Sequence, residues 1–326
     1  MKKVDISIII VNFNTFDLTC TCIDSIYSSQ TNYTYEIILV DNASTERVAT
    51  DFCEKYPDLI LISSTYNCGF GRANNLGMER AKGDYIWLIN SDTEVTEHVL
   101  ERGMIVLKEQ NADLYSCAQV LEDGSPCFYK KSSFSLGHSL QTVIYNLPLY
   151  HLAFFSKKRT DQVAVDQIIE AETVSGAFML FRRTIFDETK GFDPDFFLYS
   201  EETEWCYNRI RKQYKIIYDP HNLFIHKQGG SSANQDMQVQ EYISSSLGYY
   251  KEGYGIYLVY LFLQYWVSLP MNVFFYLISK KEYKKSYSQN LKILIKGFKY
   301  LLFDIPRFSN KFGARKKFLV VKEIKT

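Results

Sequence analysis

Asp92 closes the tripeptide Asn90-Ser91-Asp92, just after the apolar run Tyr85-Ile86-Trp87-Leu88-Ile89. A short run of this kind reads as a buried strand. A carboxylate just past the C-terminal end of a strand in an open α/β sheet lies where such sheets bind ligands. There it can hold a divalent cation and, through the cation, a diphosphate. Asp41 follows Glu36-Ile37-Ile38-Leu39-Val40 in the same way. It can accept from a ring N–H or from sugar hydroxyls, or serve with Asn42 and Ser44 as a helix N-cap. The run Ile6 to Val11 ends in Asn12-Phe13-Asn14, an aromatic and two amides suited to packing on and bonding a nucleobase. No G-x-G-x-x-G follows it, which removes the usual dinucleotide fingerprint. Asn67-Cys68-Gly69-Phe70-Gly71-Arg72-Ala73-Asn74-Asn75 is a Gly-rich entry to a helix. Its N–H groups can face phosphates, and its plain alternative is a turn and a cap.

A second acidic site lies in Glu201-Glu202, after Phe196-Phe197-Leu198-Tyr199. Joining a hydroxyl to a group carried on a diphosphate needs one general base to take the hydroxyl proton. No general acid is needed if the leaving group is a metal-bound diphosphate. One mobile carboxylate and one cation site therefore suffice. An aromatic wall and a neighbouring acid would both raise such a carboxyl's pKa. The competing role is a solvated acid complementing the first turn of a helix.

The elements that must position these residues alternate. Ile6 to Val11, Glu36 to Val40, Leu59 to Ser63 and Tyr85 to Ile89 read as strands. Leu18 to Tyr27, Val48 to Tyr56 and Gly71 to Ala81 read as the helices between them. This order predicts a parallel sheet covered on both faces, with the strand ends at Val11, Asp41 and Asp92 along one edge. The order is expected to break from about Asn111 to Glu170. Val174 to Phe181 returns to a strand pattern, and Glu201, Trp205, Cys206 and Arg209 recur at helical spacing.

With these motifs in place, the chain resembles the inverting family 2 glycosyltransferases of the GT-A fold. It is most similar within them to the rhamnosyltransferase-like group. The likeness runs from Ile6 to Asp92, then through Ser175-Gly176-Ala177-Phe178-Met179-Leu180, Gly191 to Phe197 and Tyr199 to Arg209, ending near His226. It implies a GT-A α/β mixed sheet with helices on both faces. It also implies an enzyme that takes a sugar (rhamnose or another hexose) from a nucleoside diphosphate to a lipid-linked or cell-surface glycan precursor. Asp92 matches the acid of the D-x-D motif, with Asn90 in place of the first Asp. Asp41 matches a base-contacting acid, and Phe13, Asn67, Gly69, Asn74 and Ser91 fall in the donor half. Glu202 matches the catalytic base of a Glu-Asp pair that is Glu-Glu here, so Glu201 stays a second choice. Tyr199 and Trp205 fall on the acceptor side. His226 matches a position that supplies a metal-ligating His in some relatives, so the implied cofactor is Mn²⁺ or Mg²⁺ held by Asp92 and His226.

Composition sets the remaining limits. The chain has 326 residues, 46% of them hydrophobic, enough for a large core and more than one unit. Residues 1–235 are expected to form the catalytic domain, with a donor half of about 1–110 and an acceptor half of about 170–235. Residues 236–326 are expected to form a helical, membrane-associated region. The 37 basic and 37 acidic residues of the whole chain divide unevenly: 14 against 3 from Lys280 onward, hence 23 against 34 before it. Such a tail suits an anionic membrane surface, and no nucleic-acid motif accompanies it. Seven Cys without regular spacing suggest reduced cytoplasmic thiols. No apolar segment ending in a small-residue cleavage site opens the chain, so no signal peptide is expected.

Gly253 to Ser279 holds 27 residues without a charge, rich in Tyr, Phe and Trp. A donor site facing the cytoplasm and the lysines at 280, 281, 284 and 285 both place its flanks on the cytoplasmic side. A helix broken at Pro270, lying in the membrane interface or dipping in and returning, is therefore expected, on the cytoplasmic face of the plasma membrane. A helical subdomain packed on the core or on a second subunit is the alternative. Two other functions stay open, a sugar nucleotidylyltransferase and a non-catalytic glycan-binding protein. The first wants a Gly-rich, Arg-containing loop after the first strand, where this chain has Asn12-Phe13-Asn14-Thr15.

Overall fold

Ile6, Ile8, Ile9 and Ile10 have no solvent exposure, so strand β1 (Ile6–Asn12) is covered on both faces and lies inside a sheet. In the computed structural model, which describes residues 3–127, 129–130, 133–135, 137–140, 162–163, 165–227, 235–299, 301 and 322–324, β1 pairs in parallel with β2 (Tyr35–Asp41) on one side and β4 (Tyr85–Asn90) on the other. Strand β3 (Ile60–Ser63) continues the parallel set beyond β2. Alternation then sorts the side chains. Ile8, Ile10, Leu39 and Trp87 join one cluster with helices α1 (Phe16–Ser28), α2 (Asp51–Lys55) and α4 (Val99–Glu109). Ile9, Ile38, Val40 and Leu88 join another under α3 (Phe70–Arg80).

The chain then crosses to the other side of β4, and the sheet becomes mixed. Strand β5 (Thr93–Val95) follows β4 directly, and β6 (Leu114–Val120) forms where the sequence showed less order. The run Leu114 to Val120 carries Ser116 inward, which masks its strand pattern; the hydroxyl is satisfied by donating to the Phe178 carbonyl at 2.8 Å. Short strands β7 (Pro126–Cys127), β8 (Tyr129–Lys130), β9 (Gln162–Val163) and β10 (Ile169–Glu170) follow. Strand β11 (Phe178–Arg182) starts four residues later than its sequence suggested and runs antiparallel between β4 and β6. Strand β12 (Ile216–His226) runs parallel to β6, with a register shift between Asp219 and Leu223. The sheet order is β10-β12-β6-β11-β4-β1-β2-β3-β13, where β13 is Lys322–Ile324. This is the expected GT-A-like mixed sheet.

Helix α5 is Arg183–Thr189, and α6 (Glu201–Glu204) runs on through a π turn at Trp205–Arg209 and a 3-10 turn at Ile210–Lys212. The C-terminal unit is α7 (Gln235–Glu252), α8 (Tyr254–Ile278) and α9 (Lys281–Lys299), with its own core around Phe134, Phe196, Ile243 and Leu247. Lys251 fastens it to the sheet-bearing part of the chain, 2.5 Å from both Asp193 and Asp195. Helix α8 is not broken at Pro270. A wider π turn at Leu263–Ser268 comes just before the proline, where such a turn relieves the clash with the preceding carbonyls. Most of the basic tail beyond Leu301 lies outside the described residues, as does residues 141–161 of the segment expected to be irregular.

Candidate functional site

The parallel strands β1, β2 and β4 end together, and their loops form one wall of a cleft of about 820 Å³. That volume is in the roughly 300–1,000 Å³ range of ligand clefts. Asn12 organises the wall. It is 1% exposed and donates to Asp41 at 2.8 Å and to the Ser44 hydroxyl at 2.9 Å. Its oxygen accepts from the hydroxyls of Thr15 and Thr19, both at 3.0 Å. The loop tips close through left-handed residues, Asn14 (φ 54°) and Ala43 (φ 63°). Non-glycine residues take this conformation at a cost, often beside functional sites.

Of the expected donor contacts, Phe13, Asn67, Gly69, Ser91 and Asp92 line the cleft. Phe13 is 43% exposed. Asn67 accepts from Asn42 and from the Gly69 N–H, both at 2.9 Å. Gly69 has φ +85°, and a Cβ there would run into the Phe197 carbonyl oxygen. That carbonyl accepts from the Phe70 N–H at 2.9 Å, so glycine is what lets the 196–199 segment close against this loop. Two expected contacts lie behind the wall instead. Asp41 is 3% exposed and held by Asn12, so it braces the loops that carry Phe13. Asn74 is 2% exposed and donates back to the Phe70 carbonyl of its own helix at 3.0 Å.

Asp92 and His226 stand 134 positions apart, and strand pairing joins them. Strand β5 pairs antiparallel with β12, setting Thr93 opposite His226. The Lys227 N–H then donates to the Asp92 carbonyl at 2.9 Å. The result is His226 Nε2 at 3.0 Å from Asp92 Oδ1 and 3.5 Å from Asn90 Nδ2. His226 Nδ1 and Asn90 Oδ1 are both buried without a protein partner. Groups of three His, Cys, Asp or Glu suited to a metal are absent among the described residues. A carboxylate, an amide oxygen and an imidazole gathered at one rim still fit Mn²⁺ or Mg²⁺, with a diphosphate supplying further oxygens.

The Glu pair is split by the fold. Tyr199 (φ 70°) and Ser200 (φ 67°) are both left-handed and turn the chain sharply into α6. Glu201 is turned inward, 2% exposed, with one carboxyl oxygen lacking a partner. Burial first, and the Glu202 carboxylate second, push its pKa well above the usual carboxylate range. Glu202 instead lines a second cavity of about 400 Å³. The two cavities share Tyr199, Gln238 and Glu241 as a common wall. Trp205, expected on the acceptor side, is a core residue with no exposure. Its indole N–H donates to Thr189 at 2.8 Å, and its ring packs on Phe181 and Phe192. No local pattern in the chain marks Gln238 and Glu241, because α7 reaches the site only by tertiary packing.

The buried Glu201 has a consequence for stability. The folded chain keeps this carboxyl protonated at pH values where the unfolded chain, with an ordinary value of 4.5, has ionised it. The folded state then binds more protons, so this contribution to stability falls as pH rises above about 4.5 toward the folded pKa. Glu201→Gln is expected to remove that fall. Urea unfolding at pH 5 and pH 8 should show a smaller loss of stability in the variant than in the parent; equal losses would contradict it.

The profile of the family described as "Glycosyl transferase family 2" matches residues 7–190. The poly(ribitol-phosphate) beta-glucosyltransferase of Bacillus spizizenii is 33% identical over 114 residues, 33% of this chain and 18% of that protein. An uncharacterized glycosyltransferase, YwdF, of Bacillus subtilis is 28% identical over 235 residues, 71% of this chain and 76% of that one. The mannosyltransferase PcManGT from Pyrobaculum calidifontis, solved with GDP-Man and Mn²⁺, superposes with a TM-score of 0.58. Its identity is 16%, and 93% of this chain and 88% of that chain are covered. Among curated relatives, three that match strongly are covered over only 18%, 33% and 37% of their own lengths.

Proposed function

The chain belongs to glycosyl transferase family 2, and on that premise we propose that it is an inverting hexosyltransferase of the rhamnosyltransferase-like group. It moves a sugar from a nucleoside diphosphate to a hydroxyl of a lipid-linked glycan precursor. The observation that carries this reading is the placement of Asp92 and Glu202 in two cavities that meet at Tyr199. The donor lies in the larger cleft, its base against Phe13 and its diphosphate toward Asp92, with Asn67, Gly69 and Ser91 beside it. Asp92 and His226 would hold a divalent cation, with the Asn90 amide oxygen as a further candidate ligand. When bound, the cation neutralises charge on the departing diphosphate.

Glu202 accepts the proton of the acceptor hydroxyl as that oxygen bonds to the anomeric carbon. The carbon–phosphate-oxygen bond breaks in the same step, and the nucleoside diphosphate leaves with the electron pair. Attack from the side opposite the leaving group inverts the anomeric centre. The nucleotidylyltransferase reading finds no support: β1 ends at Asn12 and leads into Phe13-Asn14, and these amides are spent on loop bracing or line the cleft wall. The test is a panel of UDP-, GDP- and dTDP-sugars incubated with Mn²⁺. Release of one nucleoside diphosphate, stopped by EDTA, is expected; neither release nor nucleotide binding across the panel would overturn the reading.

The membrane lies on helix α8, on the cytoplasmic face. Its outward side shows Phe262, Trp266, Phe274 and Leu277, with Trp266 74% exposed. Lysines 280, 281, 284 and 285 follow directly, matching the charge of an anionic lipid surface. Flotation with vesicles containing phosphatidylglycerol should carry the protein, and Trp266→Ser should reduce the floated fraction severalfold. Equal flotation of the two proteins would argue against this face.

A further inference from the structure

Helix α8 is inside out. Large apolar side chains face outward, whereas Gln264, Ser268 and Asn272 are 7%, 5% and 1% exposed. With Tyr260 they form a stripe at four-residue spacing. In a regular α-helix that spacing drifts by about 40° per step around the axis. The π turn at Leu263–Ser268 advances less per residue and takes part of the drift back, so the stripe keeps facing one side. It faces the 400 Å³ cavity that Glu202 also lines. Asn290 of α9 completes the polar set, donating to Asn272 Oδ1 at 3.3 Å. Aromatic faces of Tyr242, Tyr249 and Phe134 stand among these groups.

We propose that this cavity is the acceptor subsite, and that the stripe on α8 reads a saccharide. The proposal rests on the glycosyltransferase reading and adds which residues select the acceptor. Amides and hydroxyls alternating with aromatic faces suit a sugar ring, whose hydroxyls need donors and acceptors and whose C–H faces pack on rings. A lipid chain alone would want no such buried polar stripe. The subsite is held in register with the base. Ser244 of α7 donates to the Leu198 carbonyl at 2.7 Å, and the Ser245 and Ser200 hydroxyls lie 3.2 Å apart. A sugar hydroxyl in the cavity therefore has Glu202 among the groups around it, with Tyr199 on the wall shared with the donor cleft, while the opposite side of α8 faces the lipid to which the acceptor is tethered.

The test uses the full chain and a panel of hexyl glycosides of common hexoses and N-acetylhexosamines as acceptor probes. Calorimetric titration should find at least one that binds the parent protein. Ser268→Trp, which fills the cavity, and Gln264→Leu, which removes an amide at nearly equal volume, should each weaken that binding at least tenfold. UDP and GDP affinities with Mn²⁺, measured on the same samples, report whether the variants are folded and the donor cleft intact. Parent-like glycoside binding in both variants, or no glycoside binding by a parent that binds nucleotide, would overturn the subsite. A parent that binds no nucleotide would overturn the glycosyltransferase reading instead.

Discussion

Glu202→Gln is expected to lower the transfer rate by about 10³-fold, within the range that a general base contributes, and to leave nucleotide affinity and melting temperature near parent values. Glutamine keeps the volume and the hydrogen-bonding reach but cannot take a proton. Glu202 lines the cavity on the acceptor side and is absent from the donor cleft wall, so its loss should spare nucleotide binding. Glu201→Gln serves as the internal control. That carboxyl is 2% exposed and is kept out of both cavities, so no acceptor hydroxyl can reach it. Single-turnover transfer measured for both variants separates the two acids. A parent-like rate in Glu202→Gln, together with a collapsed rate in Glu201→Gln, would reverse the assignment.

Asp92→Asn should remove most of the gain that Mn²⁺ brings to UDP or GDP binding. It should lower transfer by about 10³-fold, equivalent to several kcal/mol of charge stabilisation at the leaving group. Asp92 is the carboxylate that the Asn90-Ser91-Asp92 motif supplies, and His226 brings the neighbouring nitrogen. The asparagine variant keeps the shape and can still bond His226, so the fold should hold. His226→Gln should cost less, roughly 10- to 100-fold, because the carboxylate and the diphosphate remain. Nucleotide titrations with Mn²⁺ and with EDTA give the readout. Unchanged Mn²⁺ dependence in Asp92→Asn would sink the role given to this acid, whatever the activity shows.

Much of this was written locally in the chain. The strand–helix alternation from Ile6 to Ile89 determined the parallel half of the sheet. Strand ends then placed Phe13, Ser91 and Asp92 on one edge, because a strand's exit residue must lie at the sheet's rim. The acidic pair after an aromatic run and the charge-free aromatic stretch were equally visible, as was the glycine pattern at Asn67–Gly69. Local periodicity reports such features without any knowledge of partners.

The tertiary structure decided what depends on distant pairing and on the exact direction of a side chain. Asp92 and His226 meet because β5 and β12 pair, a register no local pattern encodes. Adjacent residues on a helix point about 100° apart. The left-handed turn at Tyr199–Ser200 therefore sends Glu201 inward and leaves Glu202 on the cavity wall. The same packing drew Trp205 and Asn74 into the interior, where their polarity is met by Thr189 and Phe70. Only the folded helices could show that Gln264, Ser268 and Asn272 share a face, and that this polar face points in while the apolar one points out. Residue types and spacing determined which chemistry this protein carries; three-dimensional pairing decided which of those groups meet, since contact depends on register and orientation between elements far apart in the chain.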